Sequence, residues 1–314
     1  MATILITGGT GMIGKRLTQL LIGKGYEVII LSRESFPMPI GMSRELEGVV
    51  YANWDIAGQT INKEALTKAD HIIHLAGAGV ADKRWSKKRK QEIVDSRRQT
   101  SSLIVKALSE IPNKVKTVIS SSAIGWYGAD TETSRKNGFT EEAEADTEFL
   151  GETCRLWEES IQPVTQLGKR LVKLRTGIVL SKEGGALVEF KKPLKAGIAA
   201  ILGNGQQVIS WIHVDDLCGM FIHAIENEEM SGAYNAVTSH PVTNKYLILY
   251  LAKQMRGNFY IPIYVPSFIL NILLGEMSIE LLKSATVNCR KIQLAGFTFR
   301  YPTLEKAFSN LFNK

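Results

Sequence analysis

The stretch Thr7 to Gly14, reading TGGTGMIG, constrains this chain more than any other, because the apolar run Ala2 to Ile6 leads straight into it. Behind it, Lys15 to Lys24 carries Leu17, Leu20 and Leu21 at helical spacing. Glycines at 8, 9, 11 and 14 therefore fall where a buried strand hands over to a helix, which is the context that gives such spacing its meaning. Without side chains, Gly8 and Gly11 can turn tightly and let a pyrophosphate lie on backbone N–H groups, and Gly14 lets the helix approach the strand. The anion would sit at a helix N-terminus, where unpaired donors and the macrodipole favour negative charge. Thr7, Gly8, Gly9, Gly11, Met12, Ile13 and Gly14 are the residues expected around a dinucleotide phosphate.

The remaining punctuation extends the same plan. Glu27 to Leu31 is continuously apolar after its first residue, as a strand buried on both faces must be, and it ends in Ser32-Arg33-Glu34. A carboxylate about 20 residues past the glycines would accept hydrogen bonds from ribose hydroxyls and favour NAD. Ser32 and Arg33 stand there instead, and a guanidinium pairs with a 2′-phosphate, so NADP is the expected cofactor and NAD the less favoured one. Glu34 argues the other way if the register shifts by one residue. Val49 to Asp55 reads as a third strand, with Asp55 either near the adenine edge or serving its own turn. His71 to His74 leads into Leu75-Ala76-Gly77, small residues that admit a close cofactor backbone. Lys116 to Ser122 supplies a fifth strand ending in Ser120, Ser121 and Ser122, at the sheet end where ligands bind in open α/β folds. The hydroxyls of Ser120 and Ser121 can equally satisfy their own turn. A sixth strand starts at Arg170 and carries Arg175 to the crevice, where it is counted with Ser120 among the cofactor-binding residues. Asp215-Asp216 follows Val208 to Val214 as a helix cap, worth about 1 kcal/mol of stability in itself.

Bulk properties narrow the function classes. The 314 residues are 45% hydrophobic and 22% charged, which excludes a disordered chain. Residues 2 to 6 serve as sheet core with no cleavage pattern after them, and Phe268 to Leu274 is interrupted by Asn271. The expectation is a cytoplasmic protein without a membrane span. Cys154, Cys218 and Cys289 lie too far apart for a zinc pattern, and no carboxylate or cysteine completes a ligand set around His71 and His74, so no metal is expected. The net charge of +7 and the run Lys83 to Lys90 raise nucleic acid as a partner, yet no binding motif accompanies them. That run reads first as a solvated helix face, then as a positive potential for a polyanionic cofactor. A small-molecule substrate, no nucleic acid, and a monomer or homodimer are the partner expectations.

With the glycine loop, Ser122-Ala123-Ile124-Gly125-Trp126-Tyr127-Gly128, Gly203-Asn204-Gly205-Gln206 and Trp211-Ile212-His213-Val214-Asp215-Asp216 in hand, the chain resembles an extended short-chain dehydrogenase/reductase. More narrowly it is similar to an atypical branch, the epimerase family related to nucleoside-diphosphate sugar epimerases, which carries a small C-terminal domain of undefined role. Lys83-Arg84-Trp85, Ser96-Arg97, Phe149-Leu150, Trp157-Glu158, Gly184-Gly185-Ala186-Leu187, Gly275-Glu276 and Gly296-Phe297 also carry the likeness. It implies an α/β fold, a Rossmann-type doubly wound parallel sheet with a smaller, mainly helical C-terminal substrate lobe. Residues 1–180 and 206–236 would form the dinucleotide-binding domain, and 181–205 with 237–314 the lobe. The resemblance also implies an NADP-dependent oxidoreductase or epimerase-like enzyme in which Ser122 orients a substrate oxygen. The tyrosine and lysine that exchange the proton in active members align with Phe149 and Thr153, neither of which can do so. Tyr127 is then the nearest candidate proton donor. A catalytically weak or inactive NADP(H)-binding sensor is the alternative.

Overall fold

The computed structural model describes residues 1–33 and 48–312. Its first half runs β1 (Thr3–Thr7), α1 (Met12–Gly23), β2 (Glu27–Ser32), β3 (Val49–Asp55), β4 (Thr60–Ile61), α2 (Lys63–Lys68), β5 (His71–His74), α3 (Lys87–Glu110) and β6 (Thr117–Ala123). It continues through α4 (Glu132–Asn137), α5 (Phe149–Ile161), β7 (Arg170–Thr176), β8 (Ile178–Leu180), α6 (Ala186–Lys195), β9 (Ile198–Leu202), β10 (Val208–Ile209), β11 (Trp211–His213), α7 (Val214–Glu226) and β12 (Gly232–Ala236). The remainder is β13 (Val242–Thr243), α8 (Asn244–Arg256), β14 (Ile261–Val265), α9 (Ser267–Leu274), α10 (Met277–Leu282), α11 (Arg290–Leu294) and α12 (Leu304–Phe312).

Eight strands form one sheet in the order β12-β7-β6-β5-β1-β2-β3-β4, parallel throughout except for the β3–β4 edge pair. Because β1 lies between β2 and β5, the chain leaves it in one direction and returns on its other side, which opens a crevice beyond the carboxyl ends of β1 and β5. Side chains alternate across the sheet as the strand period requires. Ile4 and Ile6 join Leu17 and Leu21 of α1 and Leu217 and Phe221 of α7 on one face. Leu5 joins Ile72, Leu103, Ile104 and Ala107 on the other, under α3. A third apolar cluster gathers Leu187, Ile201, Trp211, Leu251 and Phe308 away from the main sheet.

The structure departs from the sequence reading in two places of the fold. The sixth strand, expected to run on past Arg175, breaks at Gly177, where a Cβ would stand 2.6 Å from the Ser210 carbonyl oxygen. Beyond the break, β8 leaves the main sheet and pairs with β11. The C-terminal region is mainly helical, as expected, and its strand β14 pairs parallel to β9. Asp215 and Asp216 do not cap α7. His213 does, accepting the Asp215 N–H through Nδ1 at 3.1 Å. Asp215 instead takes Nε and Nη2 of Arg16 at 2.6 and 2.9 Å, locking α1 to α7, and Asp216 accepts the N–H groups of Arg300 and Tyr301 at 2.8 and 2.9 Å. Among the described residues no helix is long and apolar enough to cross a membrane.

At the crevice, β1 and β5 are pinned together by Thr7. Its hydroxyl accepts the N–H groups of Leu75 and Ala76, both at 3.2 Å, and lies 2.7 Å from Nδ1 of the fully buried His74. Burial, with Arg97 nearby, pushes the His74 pKa down to about 3. This histidine is neutral when folded and takes up a proton only on unfolding, so its contribution to stability is complete above pH 6.5 and is lost as the pH falls towards 3. Urea unfolding at pH 7 and pH 5 should therefore differ by about 2 kcal/mol from His74 alone, with the protein weaker at pH 5. Equal stability at the two values would show that His74 takes up its proton in the fold as readily as in the unfolded chain.

Candidate functional site

The glycine loop owes its shape to contacts of main chain with main chain. Gly8 has φ +70°, and a Cβ there would stand 3.0 Å from Ala76 N. A Cβ on Gly14 would lie 2.4 Å from Gly8 O and 2.5 Å from Gly9 Cα, so the first turn of α1 rests on the loop with no room for any side chain. Gly11 differs: its Cβ would meet only Gly8 O, at an ordinary 3.4 Å. The fold itself does not need glycine there. The N-terminus of α1 has no side-chain cap and no acidic residue in its first turn, whereas Ser86 caps α3 and Thr243 caps α8. Open space beside uncapped N–H donors fits a phosphate held by bare backbone around Gly11, Met12 and Ile13.

Neighbouring strand ends bring the other expected cofactor residues to this loop. Thr7 is the register partner of Leu31, so Ser32 and the exposed Arg33 follow on the strand beside Gly8 and Gly9. Glu34 lies outside the described residues. Asp55 is exposed and its carboxylate accepts the Ala57 N–H at 3.0 Å, so it serves its own turn. Leu75 and Ala76 form the floor beneath Gly8, and Gly77 follows them against Arg97. Thr7 acts from below as the pin between strands. No cluster of three or more potential metal ligands occurs among the described residues.

On the catalytic side the arrangement differs from the sequence reading, for electrostatic reasons. Arg175 is 3% exposed and engaged in an ion pair with Glu158 of α5, Nε to Oε1 at 2.8 Å and Nη2 to Oε2 at 3.2 Å. Its guanidinium lies 3.6 Å over the Trp126 ring. Ser122, 2% exposed, donates its hydroxyl to the same Glu158 Oε1 at 2.8 Å, and Lys173 stands 3.2 Å from Oε2. Burial opposes the Glu158 charge, but these partners hold its carboxyl below the usual range. Tyr127 is fully buried, donates to Asn235 Oδ1 at 2.6 Å and accepts from Arg175 Nη1 at 3.1 Å. Burial pushes its pKa up to about 12. Ser120 spends its hydroxyl on the carbonyl of Ser121 at 3.0 Å.

Height along α5 accounts for the position of Ser122. A Cβ on Gly125 would lie 3.2 Å from Leu150 Cβ and 3.6 Å from Cys154 Sγ, so the turn Ile124–Trp126 is level with the first turns of α5. Ser122 is level with Glu158, five residues past Thr153 and hence about 7 Å further along the helix axis. At the mouth of the helix, Phe149 packs edge-on against Trp85 with ring centroids 4.8 Å apart, and the Thr153 hydroxyl donates to the Phe149 carbonyl at 2.6 Å. Glu158 is the residue that the sequence reading passed over as a site component. Trp157-Glu158 was visible as a pair, but its partners sit 36 and 17 residues away.

Known proteins share this architecture along the whole chain. Residues 4–236 match the sequence model of the NAD dependent epimerase/dehydratase family, and residues 265–311 match a domain of unknown function, DUF1731. Epimerase family protein YfhF of Bacillus subtilis is 36% identical over 309 residues, covering 98% of this chain and 97% of the relative. Epimerase family protein SAR0825 of Staphylococcus aureus is 34% identical over 315 residues, covering both chains completely. The crystal structure of human epimerase family protein SDR39U1 with NADPH superposes with a TM-score of 0.83 at 26% identity, over 98% of each chain. UDP-glucose 4-epimerase of Thermotoga maritima, solved with UDP-glucose, shares the fold at a TM-score of 0.79 and 21% identity, over 99% of this chain and 97% of that one.

The buried network makes a quantitative forecast. Glu158→Gln leaves the Arg175 cation buried without its partner and should cost about 3–5 kcal/mol in urea unfolding, while Glu158→Leu combined with Arg175→Met should recover most of that loss. A single variant as stable as the wild type would show that the pair does not bear on the fold.

Proposed function

This chain belongs to the NAD dependent epimerase/dehydratase family, and from that premise we propose that it binds NADP(H) and acts as an oxidoreductase or epimerase-like enzyme on a carbonyl or hydroxyl carbon of a small molecule. The observation that carries the reading is the uncapped start of α1 beside an open Gly11, a phosphate cradle made of main chain. Nicotinamide nucleotide, when bound, supplies the carbon that gives or takes hydride. The chain's own part is to hold and orient. Gly8 to Gly14 take the pyrophosphate, Arg33 pairs with a 2′-phosphate, and Leu75 to Gly77 set the floor. The human relative crystallised with NADPH supports the phosphorylated nucleotide. Residues 181–205 and 237–314 are assigned to the substrate side in the same proposal.

A second reading has its own observation. Ser122 and Tyr127 both spend their hydroxyls in buried bonds, and Phe149 and Thr153, which the resemblance sets opposite the family's tyrosine and lysine, can supply neither group. A positioned acid or base contributes about 10²–10⁴ in rate, and none of these four supplies one in this geometry. This supports a nucleotide-binding sensor with slow turnover or none. A panel of carbonyl compounds and nucleotide sugars, followed by NADPH absorbance, separates the two: cofactor oxidation supports the enzyme, and saturable binding without oxidation supports the sensor.

Two variants test the cofactor assignment itself. Gly11→Val should fill the cradle and abolish NADPH binding in a calorimetric titration while the apo melting temperature barely changes, because its Cβ meets no tight contact in the fold. Normal affinity in that variant would place the pyrophosphate elsewhere. Arg33→Ala should narrow the NADP-over-NAD affinity ratio by about tenfold, the worth of one charge-assisted pair. An unchanged ratio would assign the 2′-phosphate to another residue.

A further inference from the structure

Three arginines are buried among the described residues, and they differ in how their charge is met. Arg89 reaches Glu92 at 2.8 Å and Asp82 at 3.4 Å, and Arg175 has Glu158. Arg97 of α3, 9% exposed, has carbonyls only: its Nη1 donates to Ala78 O at 3.0 Å and to Ile93 O at 2.9 Å. Its guanidinium lies 4.9 Å from the centroid of the Trp157 ring, and no ion pair to it occurs among the described residues. Burial works against its charge, with nearby Arg89 adding to the repulsion. Arginine does not escape this by losing its proton at physiological pH. A buried cation without a counter-charge is costly, and an anion brought beside it would offset that cost.

The location says which anion. A Cβ on Gly77 would meet Cγ, Cζ and Nη1 of Arg97 at 3.3, 3.4 and 3.5 Å, so the guanidinium lies directly against a residue with no side chain. A Cβ on Gly8 would meet Ala76 N and Leu75 C at 3.0 Å. The glycine loop and Arg97 thus both rest on the short segment Leu75 to Gly77. We propose that Arg97 is the buried cation of the dinucleotide site, a binding residue whose charge is met by the pyrophosphate of the bound cofactor. This rests on the cofactor reading above and deepens it. The anion is held from the loop side by neutral N–H donors of α1, and Arg97 supplies the full positive charge those donors lack.

The test compares Arg97→Met with the wild type in two measurements, NADPH affinity by nucleotide fluorescence and thermal unfolding of the apoprotein. The proposal expects the dissociation constant for NADPH to rise at least tenfold and NAD to weaken in parallel, since both carry the pyrophosphate. Apo melting should be unchanged or higher, because an unbalanced charge has been removed. Adenosine 2′,5′-bisphosphate, which lacks the pyrophosphate bridge, should bind both proteins alike. Arg97→Lys keeps the charge with a less extended donor set and should fall between the two. If Arg97→Met melts lower while its NADPH affinity matches the wild type, Arg97 is a structural clamp and the assignment is overturned. Should Arg97→Met fail to fold, wild-type NADPH affinity in Arg97→Lys at raised salt, or a loss of adenosine 2′,5′-bisphosphate binding in Arg97→Lys equal to its loss of NADPH binding, would overturn it as well. Wild-type protein that binds no NADPH at all would overturn the cofactor reading, a result distinct from either.

Discussion

The glycine loop is held by contact between stretches of bare main chain: the first turn of α1 rests on the turn at Gly8 and Gly9 so tightly that a Cβ at Gly14 would lie 2.4 Å from a carbonyl oxygen. That approach fixes where the helix axis points, and with it where the unpaired N–H groups of its first turn are aimed. A second tie holds the orientation from the far side, since Arg16 one turn along α1 is gripped in bidentate fashion by Asp215 of α7. Thr7 and His74 then set the adjoining strand ends to the same height. The anion site is thus a consequence of packing, with no polar side chain assigned to it on the loop itself.

Across the sheet, charge does a different task. Glu158 gathers Arg175, Lys173 and Ser122, and Arg175 extends the network to Tyr127, which Asn235 closes on β12. These residues come from β6, α5, β7 and β12, with Tyr127 just past the turn that follows β6. A buried ionic network of this kind is weak evidence of net stabilisation, because desolvation offsets much of the attraction, but every member is satisfied and none can be removed alone. Its position, about 7 Å along α5 from Thr153, ties the last strands to the helix and engages the hydroxyls of Ser122 and Tyr127 in buried hydrogen bonds.

What could be read from the sequence was local. The glycine loop, the apolar parallel strands and the helix after them announce themselves over spans of about 20 residues, as strand and helix periods do. The side chains that turned out otherwise have distant partners. Asp215 looks like a helix cap until Arg16, 199 residues away, is seen to hold it. Tyr127 reads as a free phenol until Asn235, 108 residues on, accepts its proton. Arg175 reads as a crevice cation because nothing in its neighbourhood of sequence reveals Glu158 on the other side of a turn. Ser122 was correctly placed at the end of its strand, and only the level of α5 beside it, a property of the helix packing, decides that its hydroxyl faces Glu158. Arg97 carried no signal beyond its pairing with Ser96, since what distinguishes it is the carboxylate that is missing.

The account stands or falls on main-chain amides receiving the pyrophosphate at the start of α1. Backbone hydrogen exchange with and without saturating NADPH addresses those amides one segment at a time. The predicted result is strong new protection across Gly8 to Lys15, extending to Leu75 to Gly77, with the buried strands unchanged. Saturable NADPH binding that leaves the exchange of Gly8 to Lys15 untouched would contradict it.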